Sequence, residues 1–326
     1  MNSISKGQFC ALLLISDMFS LFCLRGAVSL GTVSGISAGI ALQFLVMLIF
    51  VCKGGELKKW AKAFYLVYSV FCGGVVFAEF LRTCGIISIS HEEGNGLWGR
   101  LITAGLTAVV CLYCARAGLR AAARGAVIVG AAGALFIAAD LLSALVGGET
   151  ANITVPHSRG AFFEVIRGFA ASGSLGSFAV FSYMVKDRAS SVVWYFGTRA
   201  VLSAAVLFTA LAETGRISGI TEYPVITAVQ LSQPFEAQRI DSVFLLLFSV
   251  AAVFSAALQV ITGAHLMSGL FPRTGRFGYT SVLLMMLAAA FIFYGNDLAA
   301  VRACAAAAAL LFAPVGAKIS AVSDSG

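Results

Sequence analysis

Between Ser242 and Phe271 the chain carries no acidic residue, and His265 is the only ionisable side chain in the run. A stretch that long and that apolar has one low-energy fate, a helix that crosses a bilayer with turns to spare. Just before it the character changes. Pro224 and Pro234 break up the segment that starts at Tyr223, and Glu236, Arg239 and Asp241 gather where a helix entering from water carries its charges. The run is one of many, since 60% of the 326 residues are hydrophobic and only 11% are charged. No soluble core could hide that much apolar surface, so the expected fold class is an all-α polytopic membrane protein, one membrane domain over 1–326.

Ten apolar segments can be laid out: Phe9 to Leu24, Val28 to Val51, Ala63 to Phe80, Leu97 to Tyr113, Gly125 to Val146, Phe162 to Val185, Val192 to Leu211, Ser242 to Phe271, Tyr279 to Tyr294 and Ala299 to Ile319. Lys6 followed by an apolar run has the look of a signal peptide. Asp17 interrupts that run and no A-x-A site follows, so it is read as the first span. Lys and Arg fall mainly into alternate gaps, such as Lys53 to Lys62, Arg116 to Arg124 and Lys186 with Arg188, while most acidic residues fall into the others. That asymmetry predicts both termini in the cytoplasm, as an even number of spans requires. It also accounts for the net charge of +7 without nucleic acid. The basic residues sit between apolar runs rather than among exposed aromatics, and the expected partner is the lipid bilayer. Five segments precede the polar loop Gly147 to Arg159 and five follow it, which suits an inverted repeat of 1–146 and 160–320.

Most of the eight cysteines lie in or beside apolar runs, where they act as small apolar side chains rather than as a disulfide framework. Cys111 and Cys114 have CxxC spacing inside an expected span with no second pair, a poor basis for zinc or redox chemistry. No Ser-His-Asp arrangement, phosphate loop or metal cluster is present, so no enzyme, cofactor or metal is expected.

The junction ahead of the long run carries a family resemblance. Pro224, the segment to Phe235, Arg239 and Asp241, then Phe244 and Phe248, resemble the stretch before the eighth helix of the permease-like (B-type) subunits of spore-germination receptors. These subunits belong to the amino-acid/polyamine/cation transporter superfamily. Members usually have Glu where this chain has Gln238, and often Trp where it has Phe248. The resemblance implies a multi-pass subunit of the cell membrane, or of the spore inner membrane, that senses a small germinant such as an amino acid. It also implies partner subunits, one with soluble domains and one a lipoprotein, with Pro224, Arg239 and Asp241 in structural or partner-contact roles. A secondary amino-acid transporter of the same superfamily and a non-transporting scaffold are the alternatives.

In transporters built this way the first helix of each repeat is interrupted near the bilayer midplane, leaving backbone groups free to hold a small ligand. The sixth segment has such a signal about halfway along, where Ser172, Gly173, Ser174 and Gly176 weaken the helix and offer hydroxyls to the freed groups. Small residues there also suit close helix packing, as Gly31, Gly35 and Gly39 do in the second segment. In the first segment, relatives have a glycine pair where Phe19 and Leu21 stand, so the usual break is not written. Ser16, Asp17 and Ser20 are its polar candidates. An unpaired ion at Asp17 costs about 2.5–3.5 kcal/mol, so the group is expected to be paired, protonated or wetted, in either a ligand path or a structural pair. For the other intramembrane charges the plain readings are a local Glu79 and Arg82 pair, Asp140 wetted near the outer end, Arg199 snorkelling to the cytoplasmic surface, and His265 at an interface.

Overall fold

Each of the ten apolar segments folds as helix, the one open structure that satisfies every backbone group within a single span. The computed structural model describes residues 4–53, 56–87, 97–147, 160–185, 187–231, 240–272, 275 and 277–318. The first five spans are α1 (Lys6–Phe22), α2 (Leu30–Cys52), α3 (Lys59–Ile87), α4 (Leu97–Ala117) and α5 (Leu119–Gly147). The sixth is two pieces, α6 (Ala161–Ala170) and α7 (Leu175–Phe181). After α8 (Arg188–Thr214) comes a short helix, α9 (Pro224–Leu231), then α10 (Ile240–Leu270), α11 (Phe277–Phe293) and α12 (Ala299–Gly316). Among the described residues, seven helices are long and apolar enough to cross a membrane unaided, and α6 with α7, taken as one broken span, makes an eighth such unit. The remaining passes, α1 and α11, are each 17 residues long.

Local chemistry sets several boundaries. Ser29 caps α2 in a reciprocal box with Thr32. Gly118, at φ +89, supplies the left-handed residue that lets α4 turn directly into α5. Pro224 takes the first position of α9, where its missing N–H is no loss.

The packing obeys the expected internal symmetry. The contacts α1 with α5, α3 with α11 and α5 with α8 reappear five spans later as α6 with α12, α10 with α4 and α12 with α2. Small residues bring the second and sixth spans together as the glycine spacing suggests. A Cβ on Gly35 would lie 2.4 Å from Glu164 Cβ, and one on Gly168 would lie 2.9 Å from Ile36 Cα. Phe244 and Phe248 of α10 are buried against α1, Phe244 edge-to-face with Phe22 and Phe248 tilted against Phe19. All eight cysteines are free.

The chain ties itself across one face of the bundle. Strand β1 (Glu56–Leu57) pairs antiparallel with β2 (Ala317–Lys318), and Ile4 bridges to Val185. The N-terminal segment and residues 317–318 therefore lie on the same face, as an even count demands. Of the loop Gly147 to Arg159 all but Gly147, together with Phe235, Gln238, Arg239 and the side chain of Asp241, lies outside the described residues.

Candidate functional site

The break in the sixth span is the centre of the site. Main-chain helix bonding ends at Ser172, and the pieces on either side are bent by 57°. The N–H groups of Gly173 and Ser174 then need acceptors, and both donate to Asp17 Oδ1 at 3.0 Å. The Gly173 carbonyl is taken by Gln259 Nε2 at 2.8 Å. Glycine is required at 173 by the close approach of α1, because a Cβ there would lie 2.5 Å from Ser20 Oγ and 3.3 Å from the Ser16 carbonyl.

Asp17 is itself held from every side. Tyr195 donates its hydroxyl to Oδ2, Ser174 Oγ stands 3.0 Å from the same oxygen, and Arg199 Nε lies 3.3 Å away. Arg199 also donates to Gln43 Oε1 and to Ser172 Oγ, each at 2.7 Å. Gln43 and Ser172 close the ring at 2.8 Å. Asp17 and Arg199 are each 1% exposed, so the charges are compensated by pairing rather than by water.

Three sequence readings are corrected here. Arg199 does not snorkel; it points inward because Asp17 offers an anion at the level of its guanidinium. Glu79 is not a local partner of Arg82. Its carboxylate receives Arg25 in a two-point contact at 3.0 and 2.9 Å and the Tyr223 hydroxyl at 2.7 Å, while Arg82 pairs with Glu222 at 2.6 Å. Burial, and then the charge of Glu79, pushes the Tyr223 phenol up, so it stays a donor. Asp140 is not wetted but 5% exposed, because the ends of α8 and α9 pack over that part of α5. His265 lies toward the β1 face, half-buried, with Tyr183 at 3.0 Å.

Of the residues singled out beforehand, the structure gathers Ser16, Asp17, Ser20, Ser172, Gly173 and Ser174 around the break. Gly176 lies a turn away, where a Cβ would meet the Tyr68 ring at 2.6 Å. Pro224 is remote from it, next to Tyr223 in the Glu79 cluster. Sequence reasoning missed Gln43, Tyr195 and Gln259, which are ordinary polar residues in long spans. The usable signal was Tyr195 with Arg199, four apart on one helix face, beneath an unmatched intramembrane acid.

Beside the break is a cavity of about 20 Å³, between Ser20, Tyr68, Gly173 and, toward the other end, Cys23, Glu79 and Arg302. It is large enough for a water molecule. The hydroxyls of Ser16 and Tyr68 are buried without a hydrogen-bond partner. The cavity reaches Glu79, whose carboxylate is held by Arg25 and Tyr223.

An all-α polytopic membrane protein with a broken sixth span and a charged group lodged in the break has the architecture of the secondary-transporter folds. Among solved structures, the chain is similar to Mhp1, a nucleobase-cation-symport-1 family transporter, in a closed conformation with bromovinylhydantoin bound. The identity is 13% and the TM-score 0.65, over 95% of this chain and 76% of that one. It is similar also to the inward-facing conformation of Mhp1, at 13% identity and a TM-score of 0.63 over the same shares. No family model and no curated protein matches the sequence. The likeness is one of fold.

Proposed function

We propose that this protein is a transporter-fold permease, built from repeats 1–146 and 160–320, that recognises a small polar molecule of amino-acid size at the break in the sixth span. The observation that carries the reading is the interrupted helix itself, with main-chain N–H groups turned onto a buried charge in the middle of the bundle. The break's positive end is already filled by Asp17, and Arg199 neutralises Asp17. A ligand at the break therefore meets hydroxyls, notably Ser16, Ser20 and Tyr68, with Glu79 and Arg302 of opposite charge toward the other end of the cavity. This favours a neutral or zwitterionic solute over an anion.

A second reading, a permease-like subunit of a spore-germination receptor, draws on the Pro224 to Phe248 resemblance and on α1, which is continuous where relatives carry a glycine pair. A site occupied by the chain's own carboxylate suits sensing as well as carriage. In this reading the germinant binds at the same break, Pro224, Arg239 and Asp241 face partner subunits, and the termini are cytoplasmic.

One preparation separates the readings. The protein in lipid nanodiscs is titrated with a panel of amino acids and small cyclic amides, then reconstituted for uptake with whichever binds. Saturable binding that is lost in Tyr68→Phe at unchanged membrane abundance supports the site. Uptake then supports the transporter. Binding without uptake, with co-purification of a soluble-domain subunit and a lipoprotein, supports the receptor. Folded protein that binds nothing in the panel would leave the scaffold.

A further inference from the structure

A second and much larger cavity lies away from the break. It measures about 670 Å³ and runs between α1, α5, α8 and α10, from Ser5 and Arg124 at one end to Phe22 and Phe136 at the other. From Arg124 to Ile137 the α5 wall climbs about 20 Å at 1.5 Å per residue. The walls between are apolar, with Leu14 and Met18 on α1 facing Phe248 and Ala251 on α10. On α5 the wall is bare. A Cβ on Gly130 or Gly133 would meet nothing within 4 Å, and Ala131 and Ala134 are exposed.

The shape narrows the choice of occupant. The cavity's 670 Å³ follows about 20 Å of α5, so its occupant is elongated. A polar solute would find almost no partner along the walls. A single extended hydrocarbon chain fits both constraints. Its charge is set by the mouth of the groove, where Arg124 is exposed and, among the described residues, has no ion-pair partner. Arg116 and Arg120 stand on the same end of the neighbouring helices, so this is a basic face of the bundle.

We propose that the groove holds one acyl chain of an anionic phospholipid, with the phosphodiester on Arg124 and the chain lying between α1 and the bare wall of α5. The lipid fills the space on the side of α1 opposite Ser20 and adds to the direct packing of α5 on α1, α8 and α10.

The full-length protein is tested in vesicles of equal phosphatidylcholine and phosphatidylglycerol, then solubilised and purified, with retained lipid counted by mass spectrometry. Phosphatidylglycerol should be retained about fivefold over phosphatidylcholine, the effect of one basic group near an anionic headgroup. Arg124→Gln should bring the two to parity, whereas Arg116→Gln should leave the preference as it was. Gly133→Phe, or Ala131→Phe if the first does not fold, should lower retention of both lipids. The proposal fails if the unsubstituted protein shows no preference, or if Arg116→Gln abolishes it as fully as Arg124→Gln, which would mean surface attraction alone. It fails also if filling the groove alters the oligomeric state with lipid retention unchanged, since the groove would then be a helix seam.

Discussion

Arg199 and Asp17 hold each other inside the membrane, and neither has another charge within salt-bridge distance among the described residues. Breaking a buried pair from one side leaves a bare ion, so Arg199→Leu should destabilise the protein by about 3–5 kcal/mol. Asp17→Asn combined with Arg199→Gln should recover much of that loss, because two neutral amides can still bond to Gln43, Ser172 and Ser174. Thermal unfolding of the two variants in detergent checks this; equal losses would mean that the pair is not coupled. The pairing was partly legible in the sequence, since an acid and a base both lay in apolar segments and each needed compensation. Which base would serve was not legible. Snorkelling and pairing are both open to an arginine near a helix end, and only the inward rotation of α8 decides between them.

At the scale of elements, the broken sixth span is the feature the sequence announced most clearly. Serine and glycine between two apolar half-runs leave the helix little propensity to continue. The structure adds the steric reason for Gly173. Gly173→Ala should lower the melting temperature by pushing against Ser20 Oγ, 2.5 Å from the new Cβ, and Ser20→Ala should restore most of it. A variant that melts normally without the second change would show that α1 and the break are not in close contact. Gly35→Ala is expected to behave worse, at about 1–3 kcal/mol, since its obstacle is Glu164 backbone as well as side chain and cannot rotate away. No second change at one side chain should rescue it. The continuous α1 was likewise written in the sequence, in Phe19 and Leu21 where a glycine pair would have loosened the helix.

For the molecule as a whole, the contact nearest the small cavity is the Arg25, Glu79 and Tyr223 cluster. Cys23 and Cys72 border the small cavity behind the Arg25, Glu79 and Tyr223 cluster and are buried. In a protein that keeps only these two cysteines, a membrane-impermeant thiol reagent should label slowly. Glu79→Ala removes the acceptor that Arg25 and Tyr223 share, and labelling should speed up by about tenfold, as for an opening made easier by ~1.4 kcal/mol. An unchanged rate would place the barrier elsewhere. Topology is tested in the same membranes. A reporter after Lys318 should read cytoplasmic and a tag in the Gly147 to Arg159 loop should be reached from outside.

The order of the helical segments was already legible in the sequence, because hydropathy is a sum over neighbouring residues. So was the weak point in the sixth span, which depends on local helix propensity. The tertiary structure alone decided the partners. Glu79 has Arg82 one turn away yet bonds Arg25 and Tyr223 from distant parts of the chain, and Asp17 meets a broken helix more than 150 residues further on. Inside a bilayer a charge takes the nearest compensating group in space, and sequence distance has no bearing on that choice. The groove beside α5 was invisible for the same reason. A gap is defined by the elements around it, and no single segment carries its signature.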